Sequence, residues 1–411
     1  MDPRREAVGG LTYAELHAAA RRAAGALTER GVKPGDRVAL ALGAGAEFAI
    51  ALHGCLLAGI AAVPIDLRLG ERERGARASR CAVVLDELPS GPALDAAETL
   101  RPDTVATLMY TSGTTAASRE VPLTYGNWLA NALGSAVALG LDPQERWLCP
   151  MPLAHVGGLS ILIRSAVYGT TAVLHERFDT EAVAAALADP GERITVVSLV
   201  PTMLGRLLDA GLRAPPTLRW ALVGGGPIVP TLLERARDAG VPVAPTYGMT
   251  EACSQIATNG WPLPGVEIRI AEDGEVLVRG PNVSPAALAP DAWLHTGDLG
   301  ILDDRGRLEI IGRKAETIVS GGENVSPAEV EAVLLEHPAV ADVAVHPRQD
   351  PEWGEAVIAT VVLREGVMAG AEELRAHCAA RLSGFKVPKE VGFADRLPRT
   401  ASGKLLRREL A

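Results

Sequence analysis

The feature that most constrains this chain is the alternation of short apolar runs with segments of helical periodicity, sustained as far as Thr246. Residues 37–42, 61–65, 81–85, 105–110, 171–174, 194–198, 218–223 and 243–246 read as strands. Between them residues 47–57, 127–139, 180–187 and 230–239 carry helical spacing, and Pro201 opens a further helix in its first turn. A first helix starts at a capping box of Thr12 and Glu15 and runs through Leu16, Ala20, Ala23 and Leu27 to Gly31. Parallel strands need a long crossover between them, so this order predicts an α/β fold whose sheets are mostly parallel and flanked by helices. Beyond Pro264 the runs shorten to residues 267–270, 275–279, 299–302 and 308–311, separated by Asp-Gly and Arg-Gly turns, as in a small antiparallel unit. The last hundred residues predict a small, mobile α+β domain: helices over 328–335 and 372–382, strands over 340–345 and 356–362, and a basic tail. The expected division is therefore a large N-terminal domain over 1–312 and a C-terminal domain over 313–411.

Forty basic and 50 acidic residues are spread without a basic stripe, which argues against nucleic acid or an anionic membrane as partner and favours small ligands. Cys55, Cys81, Cys149, Cys253 and Cys378 lie at least 26 positions apart, so no metal-ligand spacing exists, and the odd, scattered set suits a reducing compartment, read as the cytoplasm. The run from Phe48 to Ile65 has no formal charge at neutral pH, but His53, Gly54, Gly59 and Pro64 divide it into a helix and a buried strand rather than a membrane span. The Met-Asp-Pro-Arg-Arg-Glu start lacks an apolar signal core, and a homo-oligomer is compatible with the composition.

Five stretches carry side chains suited to chemistry. Where the 105–110 run ends, Thr111-Ser-Gly-Thr-Thr115 and Arg119 follow, and helical periodicity resumes near Thr124: a strand, a loop, then a helix. Small residues let backbone N–H groups turn onto an anion, and Thr111, Ser112, Thr114 and Thr115 add hydroxyls around Gly113 while Arg119 adds a cation. This suits a polyphosphate, although an ordinary surface loop has a similar composition. No Gly-Lys-Ser or Gly-Lys-Thr is present, so it is not the common NTPase loop. Gly224-Gly-Gly226 would let a planar ligand approach backbone, or simply turn the chain. Thr246-Tyr-Gly-Met-Thr-Glu251 offers an aromatic face, a hydroxyl and a carboxylate for Mg²⁺. Asp298 in Thr296-Gly-Asp298 can accept from ribose hydroxyls, and Lys404 lies in a Gly-flanked C-terminal stretch.

In this order and spacing the stretches resemble the acyl-adenylate-forming superfamily of acyl-CoA synthetases, peptide-synthetase adenylation domains and luciferases, over nearly the whole chain. Within it, Pro152-Leu-Ala-His155-Val-Gly-Gly-Leu-Ser160, Arg164 to Gly169, His175-Glu-Arg-Phe178, Leu199 to Leu204 and Tyr247 to Gln255 are similar to the o-succinylbenzoate–CoA ligase group of the menaquinone pathway. The resemblance implies that a carboxylic acid attacks the α-phosphorus of ATP with Mg²⁺ present, and that coenzyme A then takes the acyl group. It makes residues Thr111 to Thr115 and Arg119 the triphosphate loop, puts Gly225, Gly226, Tyr247 and Gly248 around adenine, and gives Asp298 and Arg313 the ribose side. Thr250 would touch the α-phosphate, Glu251 would hold Mg²⁺, and Lys404 and His155 would join them in catalysis. His155, Arg164, Gly224 and Ser254 would line the acid site, and Gly321, Gly322 and Glu323 the coenzyme A site, reached by rotation about a hinge near Ala315.

Arg164 stands on an otherwise apolar helix over residues 159–167, so its charge needs a partner: a structural acid, or the second carboxylate of a dicarboxylic substrate. The family loop reads TSGTTGxPKG, whereas Ala116, Ser118, Arg119 and Glu120 stand here, and Glu120 would bring a carboxylate toward the triphosphate. Residues 255–264 and 281–293 are shorter than in most relatives. Two rival functions are an amino-acid adenylation domain, whose substrate aspartate is missing after His155, and a silent nucleotide binder, against which Glu251, Asp298 and Lys404 speak.

Overall fold

The computed structural model describes residues 2–95, 100–111, 119–399 and 405–410. The chain divides into two compact units, one of Met1–Gly225, Ala236–Ile268 and Val278–Leu294, the other of Gly226–Arg235, Arg269–Leu277 and His295–Ala411. The first unit holds two sheets. In one, Arg146–Cys149 has Thr171–Leu174 parallel on one side and, on the other, Val196–Leu199, Trp220–Val223 and Val243–Met249 in succession, all parallel. In the other, Val83–Leu85, Arg37–Leu40, Ala61–Pro64 and Val105–Thr111 run parallel, and Arg119–Thr124 closes the edge antiparallel. Strands covered on both faces carry continuous apolar runs, and Ala61–Pro64 and Val196–Leu199 are buried at every position.

The helix Tyr13–Glu29 starts at the expected capping box: Thr12 Oγ1 accepts from the Glu15 N–H at 3.3 Å, and the Glu15 carboxylate accepts from the Thr12 N–H at 2.8 Å. Leu16, Ala20, Ala23 and Leu27 form its buried face against Ala46–Leu57, where a Cβ on Gly54 would stand 3.1 Å from the Ala20 carbonyl oxygen, a tight contact between the two helices. The uncharged run after Phe48 thus folds as helix and buried strand, and among the described residues no helix is long and apolar enough to cross a membrane. Buried Trp128 and Trp147 anchor this core, each ring contributing on the order of 2–3 kcal/mol by burial. Each indole N–H is satisfied, donating to Thr107 Oγ1 at 3.0 Å and Ser198 Oγ at 2.9 Å.

The structure corrects the sequence reading at several elements. Residues 119–124 form a strand, so the Thr111 loop closes a β-hairpin and does not lead straight into a helix; the helix Tyr125–Leu139 follows, capped by Thr124 as expected. Pro122 and the polar residues around it hide a strand from pattern reading, and the strand sits at the sheet edge, where proline is tolerated. Thr246 to Met249 continue the Val243–Met249 strand and pair antiparallel with Ser254–Thr258; they are not a loop. Gly9-Gly10, both at positive φ, turns Glu6–Val8 into Leu11–Thr12, but these strands and Arg146–Cys149 are only two to four residues long, too short to show a period, and the helix Glu71–Ala78 buries nothing, so it has no apolar period to read.

A four-stranded sheet takes Glu267–Ile270, Glu275–Arg279, Leu294–Leu302 and Leu308–Arg313, the last two antiparallel. Further along, Val340–Asp350 and Gly354–Leu363 form a long antiparallel pair with Glu390–Phe393 parallel to the second, and the hairpin Ile318–Ser320/Glu323–Val325 extends the sheet. Pro327–Leu335 and Ala371–Ala379 cover it through Val330, Leu334, Leu374 and Cys378, all fully buried.

Candidate active site

Strand order locates the crevice of the first unit. From Arg146–Cys149 the chain winds to Thr171–Leu174 on one side and then to Val196–Leu199 on the other, and ligands of open α/β sheets bind where the winding reverses, at strand carboxyl ends. His155 lies in this crevice, at the N-cap of Val156–Tyr168, with its ring making no capping bond. The ring instead meets residues that follow Ala61–Pro64 in the other sheet: its Nε2 is 3.4 Å from Arg68 Nη2 and 3.7 Å from Asp66 Oδ2. Asp66 takes the Arg68 fork at 2.8 and 2.6 Å. Arginine can only donate, so Nε2 accepts and the proton of the neutral ring belongs on Nδ1. Burial holds His155 below its ordinary value, Asp66 opposes this, and Arg68 and Arg77 reinforce it. Burial works against the Asp66 anion, but Arg68 outweighs it and keeps the carboxyl below the usual range. Sequence reading missed Asp66 and Arg68; their only signal is a position just past a buried strand.

Thr111 and Arg119 stand opposite each other where the hairpin opens, with Thr111 Oγ1 3.5 Å from the Arg119 carbonyl. Ser112, Gly113, Thr114 and Thr115 lie outside the described residues. Glu120 does not face the anion site uncompensated: Arg37 Nη1 donates to it at 2.9 Å and Tyr110 Oη at 3.3 Å.

Gly224, whose N–H donates to the Leu199 carbonyl at 3.1 Å, begins the turn after Trp220–Val223, and Gly225 and Gly226 are exposed in it. Tyr247 and Gly248 lie on the next strand. A Cβ on Gly248 would stand 1.7 Å from the Ser254 carbonyl oxygen, so only glycine fits this crossing. The chain reverses through Cys253 at φ 54° and Ser254 at φ 95°, conformations that cost on the order of 1–3 kcal/mol each. Thr250 and Glu251 occupy the single turn Thr250–Ala252 just before this reversal. The Glu251 carbonyl accepts from the Ser284 N–H at 2.8 Å, and Ser284 Oγ donates to the Pro122 carbonyl at 2.6 Å. Ser284, another residue missed from the sequence, thereby ties the Glu251 turn to the strand that carries Arg119. Among the described residues no group of three or more metal-ligating side chains exists. One carboxylate still fits Mg²⁺, which takes one or two protein carboxylates and fills its shell with phosphates and water.

In the second unit Asp298 and Arg313 face each other across paired strands, Arg313 Nε to Asp298 Oδ1 at 2.7 Å, with Asp298 buried. Thr296-Gly-Asp298 thus lies within the strand Leu294–Leu302, which starts five residues before the expected run at 299. Gly321 and Gly322 form the turn between Ile318–Ser320 and Glu323–Val325, and Glu323 opens the second strand. Lys404 lies outside the described residues.

Comparison with known proteins places the chain in a family. The AMP-binding enzyme family model matches residues 2–90 and 83–286, and the model of the AMP-binding enzyme C-terminal domain matches residues 329–404. The chain belongs to the AMP-binding enzyme family. It is 40% identical to the 2-succinylbenzoate–CoA ligase of Bacillus subtilis, over 97% of this chain and 92% of that protein. The o-succinylbenzoate CoA synthetase of Bacillus subtilis in complex with the acyl-adenylate intermediate OSB-AMP superposes with a TM-score of 0.90 at 38% identity, covering all of this chain and 96% of that one. The same synthetase in complex with ATP and magnesium ion also gives 0.90, at 38% identity and 97% of its length.

This AMP-binding enzyme is more compact than its relative: the alignment spans 453 positions against a chain of 411 residues. Ser254–Thr258 returns as Trp261–Pro262 through a two-residue Asn259-Gly260 turn, both residues at positive φ. The expectation for Arg164 is also corrected. Its side chain is only 1% exposed, donates to Asn131 Oδ1 and lies over the Trp147 ring at 5.5 Å. Among the described residues no carboxylate pairs with it, so the structural acid is not found; nor is its head open to a substrate. Asn131 in turn donates to the Gln255 carbonyl at 3.1 Å, which Asn282 also holds at 2.9 Å. Arg164 therefore braces the strand leaving the Cys253–Ser254 reversal. Its apolar helix signalled a buried cation; only the fold shows what surrounds it.

Proposed function

We propose that this AMP-binding enzyme joins o-succinylbenzoate to coenzyme A in two steps: the acid and ATP give an acyl adenylate and pyrophosphate, then the thiol displaces AMP. The observation that carries this reading is an end-to-end likeness, 40% identical over 97% of the chain, to a 2-succinylbenzoate–CoA ligase. The site geometry supports the assignment of roles. Thr111 to Thr115 and Arg119 hold the triphosphate, Tyr247 stacks on adenine beside Gly225, Gly226 and Gly248, and Asp298, oriented by Arg313, accepts from the ribose hydroxyls. Thr250 contacts the α-phosphate and Glu251 holds Mg²⁺, which when bound neutralises charge on the phosphate oxygens. Neutral His155 presents Nδ1–H as a donor near Gly224 and Ser254 in the acid site, and Lys404 stabilises charge at the α-phosphate. The domain division at 312/313, with a pivot at Ala315, brings Gly321, Gly322 and Glu323 into play for the thiol step. All five cysteines are free, which suits the cytoplasm, where ATP and coenzyme A are at hand. A coenzyme A-dependent AMP-release assay over aromatic and keto acids tests the reading. o-Succinylbenzoate should lead the panel, and equal or better turnover of a simple benzoate or an amino acid would reject the substrate assignment.

A further inference from the structure

Guanidinium groups hold the described residues on either side of positions 400–404. Before them, Arg399 Nη2 donates to both oxygens of Asp342, at 2.9 and 2.8 Å. After them, Leu405 forms an antiparallel bridge back to Arg399. Two residues on, Arg407 enters the small unit: Nη2 donates to Glu331 Oε2 at 3.0 Å, Nη1 to Glu331 Oε1 and to the Val345 carbonyl at 2.8 Å, and Nε to Glu316 Oε2 at 3.1 Å. The side chains of Arg407 and Glu331 are 17% and 11% exposed, too enclosed for a solvated tail. Glu331 belongs to Pro327–Leu335, Val345 to Val340–Asp350, and Glu316 directly follows Ala315. One guanidinium thus joins the Lys404 segment to a helix, a strand and the turn beside the proposed pivot.

We propose that Arg407 is a positioning residue for adenylation: its guanidinium fixes the base of the Lys404 segment to the small unit and to the turn after Ala315. This rests on the assignment of Lys404 above. A planar fork that meets a carboxylate, a second carboxylate and a carbonyl at once holds orientation as well as place, which a single ammonium cannot do. Without the fork, Leu405 and Arg407 lose their attachment to Glu331, Val345 and Glu316, and finding that placement again at each turnover should slow adenylation about ten- to a hundredfold.

Arg407→Met, Arg407→Lys and Glu316→Gln are compared with the parent enzyme in two assays: ATP–pyrophosphate exchange with o-succinylbenzoate, and thioester formation from a pre-made acyl adenylate. Arg407→Met should lower kcat for exchange about ten- to a hundredfold, with KM for ATP and the thioester step each within about twofold. Arg407→Lys should restore little of it, and adding Arg407→Met to Lys404→Ala should cost nothing further. Equal loss in both half-reactions, or full exchange activity in folded Arg407→Met, overturns the proposal. Should Arg407→Met not fold, Glu316→Gln decides: it keeps the Glu331 pair, so a loss of about threefold confined to exchange supports the strut and no loss overturns it. Full exchange activity in Lys404→Ala would instead overturn the assignment of Lys404, and the strut with it.

Discussion

The two loops to which the proposed chemistry assigns ATP's phosphates are supported in different ways. Thr111 and Arg119 end an antiparallel ladder that keeps its register over residues 107–111 against 119–123, and the Arg37–Glu120 pair beside it is accessory to that ladder. The stretch holding Lys404 has one bridge, Arg399 to Leu405, and depends on Arg399–Asp342 and the Arg407 network. A hydrogen-bonded ladder fixes the two ends of a connection at many points, as a proposed triphosphate cradle needs. Side-chain clamps fix one point, which suffices for the one ammonium that the proposed chemistry asks of this stretch.

The comparison can be broken most severely at Lys404. Lys404→Ala should lower adenylation about 10²- to 10³-fold, the scale for removing one donor to developing charge, while thioester formation from a pre-made adenylate stays near normal. Equal losses in the two assays would mean that the lysine serves both steps and the second loop is not specialised. The next largest effect tests whether that loop travels. Ala315→Pro restricts φ inside the single turn Lys314–Glu316, so coenzyme A transfer should fall about tenfold or more while exchange survives; unchanged overall turnover would exclude a pivot there.

The first loop should respond less. Arg37→Met leaves Glu120 uncompensated beside the triphosphate site, a repulsion of roughly 1 kcal/mol, so KM for ATP should rise about fivefold. The melting temperature should hardly move, because the ladder holds the hairpin; a large drop would show that the ion pair, not the ladder, supports it. The smallest effect concerns pH. Burial holds the His155 pKa below that of a free imidazole, so adenylation should persist as the pH falls through the free-imidazole range and decline only below it. Arg68→Gln removes a cation that disfavours protonation and unpairs the Asp66 anion that favours it, and both changes raise the His155 pKa. The acidic limb of the kcat/KM profile should move to higher pH by less than about one unit; a shift to lower pH would mean that His155 is not the group observed.

Much of this was legible before the fold. Alternating periodicity gives the two parallel sheets, the Thr12/Glu15 box gives the start of the first helix, and the hydroxyl-rich stretch after Tyr110 marks the expected phosphate loop, because each depends on residues adjacent in sequence. The strand Arg119–Thr124 was not legible: Pro122 is acceptable only at a sheet edge, and edges exist only once strands are ordered. Glu120 read as a liability for phosphate binding because Arg37 stands 83 positions away. Arg164 read as a candidate substrate ligand, and tertiary packing instead surrounds it with Asn131 and Trp147. Sequence by itself determined the longer elements, the order of the loops and the residue types fit for adenylation, since these follow from local pattern and intrinsic chemistry. Only tertiary structure decided which charges are paired, that Asp66 and Arg68 meet His155, and that Arg407 ties down the tail, because a charge's partner is set by distance in space, which no spacing along the chain records.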